Sequence, residues 1–278
     1  MSYTRELWHS RELVMQFALR DLRLRYKEAV MGWGWAILMP LLIVFSGVIL
    51  RSIIARAGGS HVTLETAAEI AVKAVPWAFF ASTIQMATQS LVANRALIGK
   101  VYFPREAIPL GAVTGQLVDL AIGMVMALVV LVASGHAPTP GWLWILPLLA
   151  MLVLITTGAS LLLSCANLFF RDVRYLVGVL MSFGIFATPI YYTPEMVGPT
   201  GARLLSWNPL SAVMLGLQRV LVRGEPLLTS QSHQWADGTS SVVWAPAMLG
   251  YTFAFGVAGL AAGLVLFRRY SAVFAEWS

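Results

Sequence analysis

Charged residues are scarce in this sequence. Only 12% of its 278 residues are Asp, Glu, Lys or Arg, whereas 58% are hydrophobic. A soluble domain carries roughly 25% charged residues, so this chain has too few solvating groups to cover a globule in water. Lipid is the solvent that suits so much apolar surface, and the composition therefore predicts an integral membrane protein.

Cysteine, clustered metal ligands and phosphate-binding loops are also missing. The single cysteine, Cys165, cannot form an intramolecular disulfide, and its ordinary role is that of a small buried residue. The four histidines fall in separate segments without a second ligand at helical spacing. The one Gly-Lys pair, Gly99-Lys100, has Val101 after it and lacks the upstream glycine of a G-x-x-x-x-G-K-[ST] loop. The chain is therefore predicted to be no enzyme, with no bound metal or cofactor of its own.

Long uncharged runs are what the sequence has instead. A spanning helix needs about 20 residues, and no run alternates apolar and polar residues as a membrane β-strand would. The predicted fold is therefore all-α. Six spans are predicted, near 31–52, 73–93, 108–133, 142–168, 174–194 and 243–266. They form a single transmembrane domain over 1–278, made of a cytoplasmic interface segment (1–30), a six-span core (31–268) and a cytoplasmic tail (269–278).

The distribution of positive charge predicts the orientation. With the N-terminus inside, most of the 19 Lys and Arg residues fall in cytoplasmic segments. This bias places both termini in the cytoplasm. It also accounts for the pI near 9.8 without any nucleic-acid partner.

Two segments outside the spans are predicted to be helical. In residues 4–28, Met15, Leu19, Leu22 and Tyr26 recur on one helical stripe, which is typical of an amphipathic helix lying on the inner membrane surface with its apolar side down. The apolar stretch 208–221 is too short to span, so it is expected to be a re-entrant or interfacial helix on the outer side.

Asp119 lies near the middle of the third predicted span. An ionisable group at that depth costs about 2.5 kcal/mol or more on insertion scales, so a functional role is the default hypothesis. The alternative is a packed acid whose partner lies on a neighbouring helix or on a second subunit. A proton-coupled carrier would be expected to show several such groups, not one.

Two small-residue motifs and a set of aromatic residues near the span ends can each be interpreted in two ways. GAVTG at 111–115 and GLAAG at 259–263 are small-xxx-small patterns that let helices approach closely, within one chain or in a dimer. Aromatic residues near span ends form either an interfacial belt or a sugar-stacking conduit. Those residues are Trp33, Trp35, Tyr191, Tyr192 and Trp207. Pro189 and Pro194 predict that the fifth helix kinks or ends there.

Four segments, taken in order, resemble the ABC-2-type permeases that export polysaccharides such as O-antigen, teichoic acid and capsule. They are RDLRLRYKEAVMGWGWAILMP at 20–40, NRALIGKVYFPRE at 94–106, FFRDVRYLVGVLMSFGIFATPIYY at 169–192 and WNPLSAVMLGLQRVL at 207–221. The resemblance covers nearly the whole chain. It implies the six-helix type V exporter fold, with an N-terminal interface helix and outer re-entrant gate helices over about 195–221.

The resemblance also implies partners. Family members are homodimers bound to two copies of a separate ATPase, which holds the ATP and Mg. The elements that contact this ATPase correspond to residues 4–28, 94–106 and the RDVR at 171–174. The residues expected to couple to it are Asn94, Arg95, Lys100, Tyr102, Phe103, Arg105, Glu106, Arg171 and Asp172.

The cargo that the resemblance implies is a polysaccharide attached to a polyprenyl-diphosphate lipid in the inner (cytoplasmic) membrane. The basic residues Arg20, Arg23, Arg25 and Lys27 would suit its diphosphate, and positive-inside topology explains them equally well. Two rival functions remain: an ABC-2 permease for a drug or small lipid, and a secondary carrier. An intramembrane sugar or acyl transferase would need clustered His, Asp or Glu, which the sequence lacks.

Overall fold

The computed structural model describes residues 11–27, 32, 34–57, 63–98, 103–236 and 238–270. Ten α-helices are found in these ranges. They are α1 (Arg11–Lys27), α2 (Gly34–Ala57), α3 (Leu64–Ala93), α4 (Arg95–Ile98), α5 (Ala107–Ala133), α6 (Ile145–Phe169), α7 (Val173–Ala187), α8 (Gly198–Trp207), α9 (Pro209–Gln218) and α10 (Ala247–Tyr270). Short 3₁₀ turns at Pro140–Trp144 and Pro194–Met196 and a π turn at Arg219–Arg223 join them.

Four of the described helical segments are long and apolar enough to cross a membrane. They are Leu64–Ala93, Ala107–Ala133, Pro140–Phe169 and Ala247–Tyr270. They match the second, third, fourth and sixth predicted spans, which confirms an all-α membrane fold. The first and fifth predicted spans correspond to α2, whose apolar stretch is Ile37–Ile53, and to α7. The count of six crossings stays a prediction.

The fifth predicted span is shorter than expected. Its helix ends at Ala187, and Thr188 is already extended, with a ψ of 140°. Pro189 cannot donate a backbone hydrogen bond, and it disfavours helical backbone at the residue before it. The predicted end of this helix near the prolines is therefore confirmed, and the chain from 188 to 194 belongs to the outer connection.

Helix α3 lies at the centre of the described core. It begins at Leu64, not near 73 as predicted, because the Thr63 hydroxyl caps it by accepting from the Thr66 amide at 3.3 Å. Most of its side chains from Ala68 to Leu91 are buried between α5, α6 and α7. The other spans pack around this helix.

The two small-residue motifs make close helix contacts within the chain. A side chain at Gly158 of α6 would lie 2.7 Å from the Gly259 carbonyl carbon of α10, and one at Gly263 would lie 2.7 Å from the Leu161 Cβ. Glycines at these positions therefore let α6 and α10 approach closely. Gly111 of the other motif contacts α1, as described below.

In the predicted outer segment (residues 194–244), the described residues form two short helices and a hairpin. Helix α9 and the following π turn are buried from Leu210 to Leu221, so this stretch is enclosed by other helices and does not lie at an interface. After it, Gln231–Gln234 and Ser240–Trp244 pair as antiparallel strands β1 and β2, with Ser232 opposite Val242. This hairpin is the one departure from the predicted all-α fold in the described residues.

A buried ionic network ties the outer segment to α3. The Lys73 side chain is fully buried and donates to Glu69 Oε1 at 2.9 Å and to the Tyr192 carbonyl at 3.4 Å. Gln218 of α9 also donates to Glu69 Oε1, at 3.0 Å. Since a buried charge needs both a counter-ion and hydrogen bonds, these contacts fix α9 and the turn after α7 against the outer end of α3.

Candidate functional site

Helix α1 packs along the first turns of α5. A Cβ added at Gly111 would lie 2.6 Å from the Phe17 Cβ, and one at Gly115 would lie 3.7 Å from the Ala18 Cα. Phe17 and Ala18 are buried in this contact. The GAVTG motif is therefore the surface on which the N-terminal helix lies.

The predicted apolar stripe of α1 is divided between two environments within the chain. Tyr26 is buried and Leu22 is partly buried, but Met15 is 52% exposed and Leu19 is 43% exposed. The contact of this stripe with the inner membrane surface stays a prediction. Because α5 offers glycines, the closest contact is made by the neighbouring face, which carries Phe17 and Ala18.

Asp119 has its partners on α1. The Arg25 guanidinium and the Tyr26 hydroxyl both donate to the Asp119 carboxylate, and Arg25 also donates to Gln116 Oε1 at 3.2 Å. The side chains of Arg25 and Asp119 are only 27% and 20% exposed. Burial first, and then the hydrogen bond to Asp119, raise the pKa of Tyr26 to about 12. The alternative of a packed acid paired with a neighbouring helix is the one that the structure bears out.

Helix α1 also contacts the segment that follows α3. Arg20 Nη1 donates to Asn94 Oδ1 at 2.8 Å, and the rings of Phe17 and Phe103 lie 6.0 Å apart. Asn94 in turn ends α3, because its backbone amide donates to the Ser90 and Leu91 carbonyls. Two of the three segments expected to contact an ATPase are therefore in direct contact with each other.

The third segment meets the one that follows α3 at a positively charged cavity. Arg95 of α4, Arg171 and Arg174 line a cavity of about 400 Å³ with Gln89 and Asn167. The Asn167 side chain donates to the Thr88 carbonyl at 2.9 Å and accepts from the Arg174 amide at 3.2 Å. This links the ends of α3 and α6 to the start of α7. Three guanidinium groups around one cavity attract acidic groups on a partner.

The remaining residues expected at this surface differ in accessibility. Arg171 and Asp172 are exposed and Arg105 is half-buried, whereas Glu106 is only 4% exposed at the start of α5. An acid in that position suits the positive end of the helix dipole. Lys100 and Tyr102 lie outside the described residues.

The five aromatic residues proposed for a conduit are not brought together. Tyr191 is buried against α2, with its hydroxyl 3.2 Å from Ser46 Oγ. Tyr192 donates to the Phe186 carbonyl at 2.8 Å, and Trp207 is 72% exposed on α8. Trp35 lies near the start of α2, and Trp33 is outside the described residues. Their common role in a conduit stays a prediction.

The four basic residues proposed for a lipid diphosphate have different environments. Arg23 is exposed, Arg20 is bonded to Asn94 and Asp21, and Arg25 is bonded to Asp119. The side chain of Lys27 is outside the described residues. Sequence reasoning missed the Arg25 pairing, for which the one available signal was an unpaired acid in a span close to an arginine-rich helix.

No family model matches the sequence. Two curated proteins from Klebsiella pneumoniae named O-antigen export system permease protein RfbA are 29% and 28% identical to it. Each match covers 214 residues, which is 77% of this chain and 81% of the relative. A protein of the same name from Myxococcus xanthus is 28% identical over 235 residues, 81% of this chain and 87% of the relative. The chain is thus similar over most of its length to polysaccharide-export permeases, which confirms the resemblance seen in its sequence motifs.

Proposed function

We propose that this chain is the permease subunit of an ATP-driven exporter that carries a polysaccharide of the O-antigen type, linked to polyprenyl diphosphate, to the outer face of the inner membrane. Its similarity to curated O-antigen export system permeases over about four-fifths of its length is the observation that carries this proposal. Both termini lie in the cytoplasm, as the positive-inside distribution favours.

The energy comes from a separate ATPase subunit, which binds ATP and Mg and docks on the cytoplasmic surface. This surface is formed by α1, the 94–106 segment and the start of α7, and three arginines line its cavity. Acidic groups on the ATPase would be drawn to these arginines. The interface is a proposal that rests on the contacts between the three segments.

Movement of the ATPase would reach the spans through α1. This helix is held to α5 by the close Gly111 contact at one point and by the Arg25–Asp119 pair at another. It is also bonded to the end of α3 through Arg20 and Asn94. A displacement of α1 therefore moves the inner ends of both spans.

The permease works as a homodimer, with α7 against the second copy. In α7 only Val177 is buried, while Tyr175, Leu176, Val179, Leu180 and Phe183 are more than half exposed. An apolar helix of 15 residues with one buried side chain gains little from its own chain. A second copy would supply the missing contacts.

The two rival functions are less well supported. A permease for a drug or small lipid would share this fold, but the named relatives export O-antigen. A secondary carrier needs an ionisable group free to bind its coupling ion. Asp119, the acid that was the candidate for that role, is bonded to Arg25 and Tyr26.

Purification from native membranes tests the proposal. We expect the tagged chain to carry an ATPase subunit with it, in a complex whose mass corresponds to two copies of each. The Arg95→Glu/Arg171→Glu variant should lose at least about tenfold of the bound ATPase, because like charges would then face its acidic groups. Arg203→Glu on the outer side is the matched control. A chain that purifies without any ATPase would contradict the proposal and favour a carrier.

A further inference from the structure

One face of α3 is open, and its exposed residues are polar. Between Ala68 and Val92 the exposed positions are Ser82, Gln85 and Gln89, while the others are buried or half-buried. The three recur at i, i+3 and i+7 and therefore form one stripe along the helix. Neither glutamine side chain makes a hydrogen bond with any residue that the structure describes.

The open face of α5 has the opposite character. Its exposed residues within the span include Ala121, Val125 and Val129, and the two valines are 62% and 63% exposed. Exposed apolar side chains of this kind are suited to contact with lipid. The contrast indicates that the two helices present their open faces to different surroundings.

Lipid is a poor environment for the stripe on α3. Moving an amide from water to hydrocarbon without a hydrogen-bond partner costs about 4–8 kcal/mol. Two unpaired glutamines side by side on a spanning helix therefore need water, a polar ligand or a second protein surface. The stripe identifies a polar path along the helix.

The stripe borders a groove between α1, α2, α3 and α5. The groove has a volume of about 700 Å³, and α3 lines it from Val75 to Gln89. At 1.5 Å per residue these positions are about 21 Å apart, which is about two-thirds of the hydrocarbon thickness. The groove is therefore long enough to hold several sugar units in a row.

The lining of the groove favours a neutral ligand that has both hydroxyl groups and apolar faces, as a sugar ring does. Its charged lining residues, Arg25 and Asp119, are paired with each other and leave no net charge. Most of the other lining side chains are apolar, and the Gln85 and Gln89 amides, which both donate and accept hydrogen bonds, lie among them. Trp35 is 38% exposed at the inner end and offers a ring for stacking.

We propose that this groove is a hydrated binding site for the exported glycan, in which Gln85 and Gln89 hydrogen-bond to sugar hydroxyls. This inference rests on the proposed function and adds a specific contact surface to it. The stripe is a surface for sugar contact besides the aromatic residues predicted for a conduit, of which Tyr191 and Tyr192 are packed or internally bonded in the chain. Water fills the groove when no glycan is present.

Cysteine labelling in native membranes tests the site with the assembled transporter. Cys165, the only native cysteine, is 4% exposed and gives little background. The variants Ser82→Cys, Gln85→Cys and Gln89→Cys are treated with a membrane-impermeant anionic methanethiosulfonate. Val125→Cys and Val129→Cys are the matched controls on the lipid side. Labelling of the stripe should be at least about tenfold faster than labelling of the controls, because only a thiolate in water reacts.

The same labelling is compared between cells that make the glycan and cells blocked in its synthesis. Bound glycan should slow labelling of Gln85→Cys several-fold. In parallel, Gln85→Leu/Gln89→Leu should lower surface glycan about tenfold, the effect of losing two hydrogen bonds, with assembly intact. Val125→Leu/Val129→Leu should leave surface glycan unchanged.

Three results would contradict the proposal that this groove binds glycan. Labelling no faster than in the valine controls would show a lipid face. Disulfide cross-linking of two copies through Gln85→Cys would show a helix contact in the dimer. Labelling that does not depend on glycan, in cells whose wild-type chain exports it, would show a water path without sugar contact. If depletion of the wild-type chain leaves surface glycan unchanged, the proposed function itself fails, which is a different outcome.

Discussion

At the scale of single residues, the pair of Arg25 and Asp119 is the contact with the clearest consequences. It joins a helix outside the spans to the middle of a span, and its carboxylate accepts from both Arg25 and Tyr26. Both side chains are largely shielded from solvent, since the Arg25 side chain is 27% exposed and the Asp119 side chain is 20% exposed. The pair therefore holds α1 in one register on α5.

Removing one partner of this pair should destabilise the protein more than removing both. Asp119→Leu leaves the Arg25 charge uncompensated, and we expect a loss of about 2–3 kcal/mol in stability; breaking a fully buried pair costs about 3–5 kcal/mol. Arg25→Met/Asp119→Leu removes both charges and should recover most of the loss. Thermal unfolding of the detergent-solubilised single and double variants measures the difference. A double variant as unstable as the sum of the two single ones would show that the pair is not coupled.

The sequence predicted Asp119 as a residue of interest and left its partner open. A pairing across 94 positions depends on how α1 packs against α5, and no local pattern reports that packing. The burial of Lys73 likewise depends on tertiary packing that no local pattern reports. Its helix starts earlier than the charge pattern indicated, so Lys73 is buried beside Glu69.

At the scale of elements, the packing of α1 on α5 depends on a glycine. A Cβ at Gly111 would lie 2.6 Å from the Phe17 Cβ, closer than carbon atoms can approach. The proposed transmission of ATPase movement to the spans requires this contact to stay closed.

Gly111→Ala should therefore push α1 away from α5. Alanine normally stabilises a helix by about 1 kcal/mol relative to glycine, and here the clash should outweigh that gain. Gly250→Ala in α10 is the matched control, because nothing lies within 4 Å of a Cβ there. We expect lower thermal stability and faster amide exchange in 11–27 for Gly111→Ala alone. Equal thermal stability and equal amide exchange in the two variants would mean that the packing of α1 does not depend on this contact.

Helix existence was more predictable than helix bounds. Uncharged runs of about 20 residues identified the four longest spans, because lipid enforces both length and composition. The sequence did not predict the early start of α3 after the Thr63 cap. The predicted span began only near Lys73, because it was drawn to exclude charged residues. The stripe of Ser82, Gln85 and Gln89 was missed for a related reason: neutral polar residues do not interrupt an uncharged run.

At the scale of the whole molecule, contacts of α3 connect the segments predicted to bind an ATPase with the predicted outer segment. Arg20 and Asn94 join α1 to the inner end of α3, and Lys73 and Glu69 join its outer end to α9. One helix therefore links the proposed ATPase surface to the outer short helices. The groove proposed to bind glycan lies along the same helix, between these two points.

The motif order and the topology predicted this arrangement in outline. The N-terminal segment, the 94–106 segment and the 171–174 turn were expected on one side. The structure joins the first two through Arg20 and Asn94, and the last two line one cavity. The hairpin at Gln231–Trp244 was not expected, because its strands have little apolar alternation. It is stabilised instead by tertiary contacts such as the buried Trp244, whose ring nitrogen donates to the Leu227 carbonyl at 3.0 Å.

Depletion of this protein in its native cell is the most direct test of the central claim, export of a lipid-linked polysaccharide. The two readouts are extraction of lipid-linked glycans and labelling of polysaccharide at the cell surface. We expect long lipid-linked polymer to accumulate inside while the surface loses its glycan, and re-expression should reverse both effects. An unchanged surface glycan, with no lipid-linked polymer accumulating, would contradict the claim and leave a permease of some other cargo.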